Sequence, residues 1–190
     1  MRRGLIGIAG APGSGKSTLA ERWAERLNAA AWPAVVLPMD GFHLPQARLV
    51  ELGRRDRMGA PDTFDVDGFV ALLHRLRDDT ATVTAPVFDR TVEEAVPDAL
   101  EIGAGIRTVI VEGNYLLHDA DGWERVAPLL DLRLFLAEDD DERVRRLIAR
   151  HIAFGKSPDD ARDWALGPDR RNAELIAAGR PRADLVVAVD

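Results

Sequence analysis

The octet Gly10-Ala11-Pro12-Gly13-Ser14-Gly15-Lys16-Ser17 carries the most direct chemical implication in the chain. It fits G-x-x-x-x-G-K-[S/T], follows an apolar run and opens a helical pattern, the context in which such a loop cradles phosphates. The glycines let the backbone curl until consecutive N–H groups converge on phosphate oxygens. A helix starting near Lys16 adds the positive end of its dipole. Lys16 then neutralises the β- and γ-phosphates, and the Ser17 hydroxyl is placed to ligate Mg²⁺. Residues 10–18, ending at Thr18, are therefore expected to hold ATP together with Mg²⁺. Of 25 basic residues only Lys16 and Lys156 are lysines, so lysine-rich composition does not account for the motif.

A second group stands at the end of the run 35–39, where Val35 to Met39 give way to Asp40, Gly41, Phe42 and His43. Ligands of an open parallel sheet gather outside the carboxyl ends of its strands. Asp40 is thus expected to face the crevice that Lys16 faces. A carboxylate near a bound γ-phosphate can orient a substrate hydroxyl or take its proton, the task an aspartate performs in kinases; a hydrolase must position water instead. A helix N-cap or an Asx turn ahead of Gly41 is the other reading of the same residue.

These groups need a scaffold. Apolar runs at 5–9, 35–39, 109–111, 132–136 and 185–189 lack clean alternation, as strands covered on both faces do. Helical patterns at 17–30, 66–77, 139–154 and 158–178 lie between or beside them. Such alternation predicts a parallel sheet with helices on both sides. Segment 82–102 fits poorly, and 83–88 reads as an extra strand or hairpin arm forming one wall of a substrate cleft.

The 190 residues suit one domain spanning 1–190, with no repeat or linker. There is no cysteine, which excludes disulfides and thiolate catalysis and suits a reducing compartment. A net charge of −7 argues against general nucleic-acid binding. Arg2 and Arg3 ahead of an apolar run imitate a signal peptide, yet the run is short and lacks a cleavage site. The apolar stretch 29–39 is broken by Pro33 and Pro38 and is too short for a bilayer. A cytoplasmic protein is expected, a monomer or homodimer without membrane or nucleic-acid partners. The four histidines show no metal-ligand spacing, and the four tryptophans are dispersed in a way that suggests packing.

Two nucleotide-binding classes drop out. Neither lysine lies in the N/T-K-x-D that selects guanine, and the L-S-G-G-x signature of ABC-type ATPases is missing. The stretches GIAGAPGSGKSTLA, PMDGFHL, GAPDTFDVDGFVALLHRL, VTAPVFDR and VIVEGNYLL occur in an order and spacing that resembles the P-loop kinases grouped as phosphoribulokinase, uridine kinase and bacterial-type pantothenate kinase. The resemblance runs from Gly7 to the arginine-rich helix after Asp139. It implies a three-layer α/β P-loop NTPase fold, with a five-stranded parallel sheet, helices on both faces and a small lid at about 139–160. A substrate-side insertion would occupy about 41–102.

By the same resemblance Asp40 is the catalytic aspartate, and Glu112 lies near Mg²⁺ and the acceptor. GAPDTFD, which contains Asp62, is similar to the G-x-P-[DE]-[ST]-[FY]-D of pantothenate kinases; a uridine kinase would have a ribose-binding aspartate where Gly59 stands. Phe88 and Arg90 belong to VTAPVFDR, and Arg90 stands where pantothenate kinase has a histidine. An arginine there favours an anionic or polyhydroxylated substrate, a surface salt bridge to Asp89 or Glu93 being the alternative. His43, Asn114 and Tyr115 are further candidates for the acceptor pocket.

In the lid, Arg143, Arg146 and Arg150 fall on one helical stripe. An ion-paired solvated face accounts for Arg143 and Arg145, whereas Arg146 and Arg150 resemble arginines that close over ATP and stabilise the transferring phosphoryl group; Lys156 sits where relatives place another cation. The expectation is a Mg·ATP-dependent kinase acting on a hydroxyl of a small metabolite, pantothenate-like or a sugar before a nucleoside. A nucleotide-binding switch that hydrolyses ATP slowly is the alternative from another class.

Overall fold

Side chains of a strand alternate between the two faces of a sheet, so a strand is apolar throughout only where both faces are covered. That condition is met at the centre of the main sheet in the computed structural model, which describes residues 2–78 and 81–188. In chain order the strands are β1 (Gly4–Ala9), β2 (Ala34–Pro38), β3 (Val83–Asp89), β4 (Glu94–Ile102), β5 (Thr108–Gly113), β6 (Leu132–Ala137) and β7 (Leu185–Ala188). The helices are α1 (Lys16–Ala29), α2 (Gln46–Glu51), α3 (Val66–Asp78), α4 (Asp140–Ala153), α5 (Pro158–Leu166) and α6 (Pro168–Ala177).

One parallel sheet runs β2-β5-β1-β6-β7. All six residues of β5 are buried. Val109 and Val111 enter a core with Leu5, Ala9 and Leu37, covered by Phe69, Leu73 and Leu76 of α3. Ile110 points the other way, to Ile8, Leu134 and Leu136, covered by Ala20 and Ala24 of α1. The five strands anticipated from the apolar runs are present, and they carry helices on both faces. Register then places the functional groups: Glu112 lies level with Ile8 on one side and with Pro38 on the other. The loop after β1, the end of β5 and the turn after β2 therefore open at one end of the sheet.

Several elements add to or differ from the sequence reading. The helical pattern 158–178 is two helices, because Gly167 leaves helical geometry (φ −99°, ψ −97°) and Pro168, which has no N–H to donate, starts α6. Residues 83–88 form the anticipated hairpin arm as part of β3, and β4 is the unanticipated second arm; the antiparallel pair is irregular between Ala85 and Val87, where Pro86 cannot donate to the ladder. The short α2 had no clear periodic signal. Met39 begins a 3-10 turn, Met39–Phe42, after β2. Position 189 of the anticipated last strand lies outside the described residues.

The turn that carries Asp40 packs backbone to backbone against β3. A Cβ placed on Gly41 would lie 2.1 Å from the Pro86 carbonyl oxygen, and neither chain can yield without moving the hairpin or Asp40. Gly41→Ala should therefore cost about 2 kcal/mol and lower Tm by about 4–8 °C in a chain of this length. Gly105→Ala, where an added Cβ meets nothing within 4 Å, serves as the control in the same thermal melt.

Candidate active site

The phosphate loop leaves β1 and is shaped by positions that only glycine fills well. Gly13 and Gly15 both hold φ near +84°, and a Cβ on Gly13 would lie 2.9 Å from the Arg143 carbonyl oxygen. A Cβ on Gly10 would lie 2.9 Å from the carbonyl oxygen of Leu136 in β6. The loop is thus wedged between the end of β6 and the start of α4. Ser14 Oγ is buried without a hydrogen-bond partner among the described residues, a polar atom inside a loop of the kind that receives phosphate oxygens.

Lys16 opens α1 and reaches back across the loop, where Nζ donates to the Ala11 carbonyl at 3.0 Å. The residue is only 7% exposed. Burial lowers its pKa from 10.5 to about 8, with Glu112 and Asp40 opposing the shift. Beside it, Ser17 Oγ donates to Glu112 Oε1 at 3.2 Å. Burial raises the Glu112 carboxyl above its ordinary range, and the Lys16 charge pulls it back. A hydroxyl and a carboxylate at the mouth of a phosphate loop form an oxygen donor pair that suits Mg²⁺, which takes few protein ligands and fills the remainder with phosphate oxygens and water.

Asp40 lies in the 3-10 turn after β2, and its Oδ2 accepts from Arg90 Nη2 at 2.8 Å. Arg90 follows β3 and takes this partner in place of Asp89 or Glu93. His43 stacks on Phe64 with ring centroids 4.0 Å apart and lies 4.9 Å from Phe88; burial pushes its pKa down. One cavity of about 250 Å³ brings Pro12, Lys16 and Ser17 together with Asp40, Arg90 and Glu112. His43, Phe88, Asn114, Arg150 and Lys156 line it too. Burial lowers the pKa of the Arg150 guanidinium, with the neighbouring Arg90 charge acting in the same direction.

Of the residues anticipated for the acceptor pocket and the lid, three stand outside the cavity lining, each for an evident reason. Asp62 is held by Arg57 through two bonds of 2.6 and 2.7 Å and lies 3.3 Å from Arg54, so it fastens its own loop. Tyr115 is fully buried among Phe64 and Trp123, and its hydroxyl donates to the Gly59 carbonyl at 2.6 Å. Arg146 is paired with Glu142 of its own helix and with the buried Glu138 carboxylate ahead of it. Its neighbour on the stripe, Arg143, belongs to no solvated face: it is buried, bonded to Asp140, and donates to the Pro12 carbonyl at 3.2 Å. That contact ties α4 to the phosphate loop.

Sequence reasoning missed the contribution of the C-terminal helices. Trp164 of α5 and Asp169 and Asn172 of α6 line the cavity, as does His151 of α4. The Lys156 ammonium lies over the Trp164 ring, 4.4 Å from its centroid. No local spacing marks these positions; the Gly-Pro break after α5 was the one available clue that α6 takes its own direction.

The depressed Lys16 pKa has a measurable consequence. Phosphates bind the ammonium, so in the free protein the competent fraction falls as pH rises through about 8. ATP affinity, measured by calorimetry with a chelator present, should drop about tenfold between pH 7 and pH 9. Lys16→Met should bind weakly at both.

The chain matches the phosphoribulokinase / uridine kinase family over residues 5–188. A solved structure from Silicibacter sp. TM1040, provisionally described as a fructose transport system kinase, aligns with a TM-score of 0.92 at 42% identity, covering 98% of this chain and 90% of its own. The ATP-dependent kinase-like protein notR′ of Aspergillus versicolor is 38% identical over 152 residues, 75% of this chain and 88% of its own. The uncharacterized protein YggC of Escherichia coli K12 is 35% identical over 188 residues, 98% of this chain and 78% of its own. Among the described residues no helix is long and apolar enough to cross a membrane. The phosphate loop, the strand-end carboxylates and these matches agree: the chain belongs to the phosphoribulokinase / uridine kinase family of P-loop kinases, which transfer phosphate from ATP to small molecules.

Proposed function

We propose that the protein transfers the γ-phosphoryl group of Mg·ATP to a hydroxyl of a sugar or sugar-like metabolite. The observation that carries this reading is the single cavity shared by Lys16, at the phosphate end, and Asp40, the strand-end carboxylate beside it. Residues 10–18 hold the nucleotide, and Lys16 and Arg150 gather charge around the transferring group. Ser17 and Glu112 are the groups that would hold Mg²⁺, which when bound neutralises charge on the β- and γ-phosphates.

Asp40 takes the acceptor's hydroxyl proton as the acceptor oxygen bonds to phosphorus and the bond to the ADP oxygen breaks. Arg90 holds that carboxylate in place through its 2.8 Å contact. His43, Phe88 and Asn114 shape the acceptor end. Segment 41–102 supplies that wall, and the lid at 139–160 covers the cavity through Arg150 and Lys156. A sugar is favoured over a pantothenate-like acceptor or a nucleoside because polar and charged side chains dominate the lining, and because the relative from Silicibacter carries a fructose-related description.

The test is acceptor-stimulated ADP release from Mg·ATP with hexoses, pentoses, glycerate, pantothenate and nucleosides. Asp40→Asn should reduce the stimulated rate about 100-fold or more while the Kd for ATP stays within about twofold. A slow turnover that ignores every acceptor and survives Asp40→Asn would end this reading.

A further inference from the structure

The roles above leave one buried carboxylate of the cavity without a task. Asp169 lies in the first turn of α6 and is 8% exposed. A carboxylate is rarely buried without partners. Here one oxygen is occupied: Asp169 Oδ2 lies 2.7 Å from His151 Nε2. The other, Oδ1, has no hydrogen-bond partner among the described residues, and the residue lines the cavity.

The three other carboxylates of that cavity are engaged. Asp40 is paired with Arg90, Glu93 with Arg55 at 2.8 Å, and Glu112 accepts from Ser17. Asp169 makes no ion pair with a lysine or arginine among the described residues. Its helix is nevertheless tied to the cavity wall. Asn172, one turn along α6, donates to the Gly59 carbonyl at 3.3 Å, the same oxygen that Tyr115 holds at 2.6 Å. Gly59 itself presents bare backbone at φ +96°, its Cβ direction pointing at Asn172 Nδ2 3.9 Å away. His151 comes from α4, next to Arg150, so Asp169 is gripped by the helix that covers the phosphate end.

From this arrangement we infer that Asp169, oriented by His151, accepts a hydrogen bond from a hydroxyl of the acceptor other than the one phosphorylated, and thereby selects a neutral polyol. The inference rests on the kinase reading. A carboxylate with open lone pairs takes O–H donors strongly, and it repels a carboxylate or phosphate carried by the acceptor. An uncharged sugar or sugar alcohol fits that chemistry, and pantothenate or a sugar phosphate does not. His151 acts as a positioning residue.

Acceptor-stimulated ADP release is measured first in the wild type with D-fructose, D-ribose, D-glucitol, glycerol and pantothenate. Asp169→Asn is then compared on the best neutral substrate and on its monodeoxy analogues. The expected result is an acceptor KM raised about 10- to 100-fold, the range for loss of a charged hydrogen bond. The maximal rate and the KM for ATP should change less than about threefold. For one deoxy analogue, wild type and variant should coincide, because the hydroxyl that Asp169 reads is gone. His151→Gln, which keeps a donor, should raise the acceptor KM less than His151→Ala. An unchanged acceptor KM in Asp169→Asn overturns the inference and leaves the kinase reading standing. So does an equal rise for every analogue with a lowered Tm, the mark of a structural role, or a preference for pantothenate over all four polyols. No stimulation of the wild type by any acceptor overturns the kinase reading and the inference with it.

Discussion

The constraint on which the site depends is the burial of the Lys16 ammonium. Taking such a charge out of water is costly, and the fold meets that cost locally. The Ala11 carbonyl accepts from Nζ at 3.0 Å, and the Glu112 and Asp40 charges oppose the desolvation without cancelling it. To reach that carbonyl the loop must curl through left-handed backbone at Gly13 and Gly15. To stay curled it is clamped on two sides, by the end of β6 near Gly10 and by the Arg143 guanidinium on Pro12. The residual electrostatic deficit at Lys16 is what bound phosphates would relieve.

The cavity obeys a second rule, the pairing of each lining carboxylate with a polar partner. Each carboxylate facing the cavity has a defined neighbour, and that neighbour comes from a different part of the chain. Asp40 after β2 meets Arg90 after β3; Glu112 in β5 meets Ser17 in α1; Asp169 in α6 meets His151 in α4. Cross-element pairs of this kind make the geometry of the site a property of the whole fold. The contact of Gly41 with the Pro86 carbonyl shows the tolerance involved, since the turn and the hairpin leave no room for a methyl group.

Legibility in the sequence followed the distance over which each interaction acts. The octet at 10–17 was readable because a phosphate loop is built from consecutive residues. Asp40 was readable at one remove, as a polar residue at the end of an apolar run, and Glu112 through the family resemblance. The break between α5 and α6 was written in Gly167-Pro168 and was overridden by a helical pattern that continued past it. Arg143 and Arg146 show where periodicity stops. They share a stripe on α4, yet one is buried against Pro12 and the other, itself exposed, pairs with Glu138 and Glu142. Helical spacing states which side chains share a face and not what that face meets. Asp62 and Tyr115 were candidates for an acceptor pocket, and in the structure they bond instead to Arg57 and to the Gly59 carbonyl.

Strand and helix alternation, the phosphate loop and the strand-end carboxylate Asp40 could all be read along the chain, and the family resemblance added Glu112. Apolar patterning and consecutive-residue motifs are local, and a parallel sheet collects its strand ends on one side whatever the details. Packing alone established which cations and carboxylates face one another. The pairing of Arg90 with Asp40, the seating of Arg143 on the phosphate loop, and the arrival of Trp164, Asp169 and Asn172 at the cavity join residues far apart in the chain. Their positions follow from how α4, α5 and α6 fold back over the sheet, and no spacing rule encodes that path.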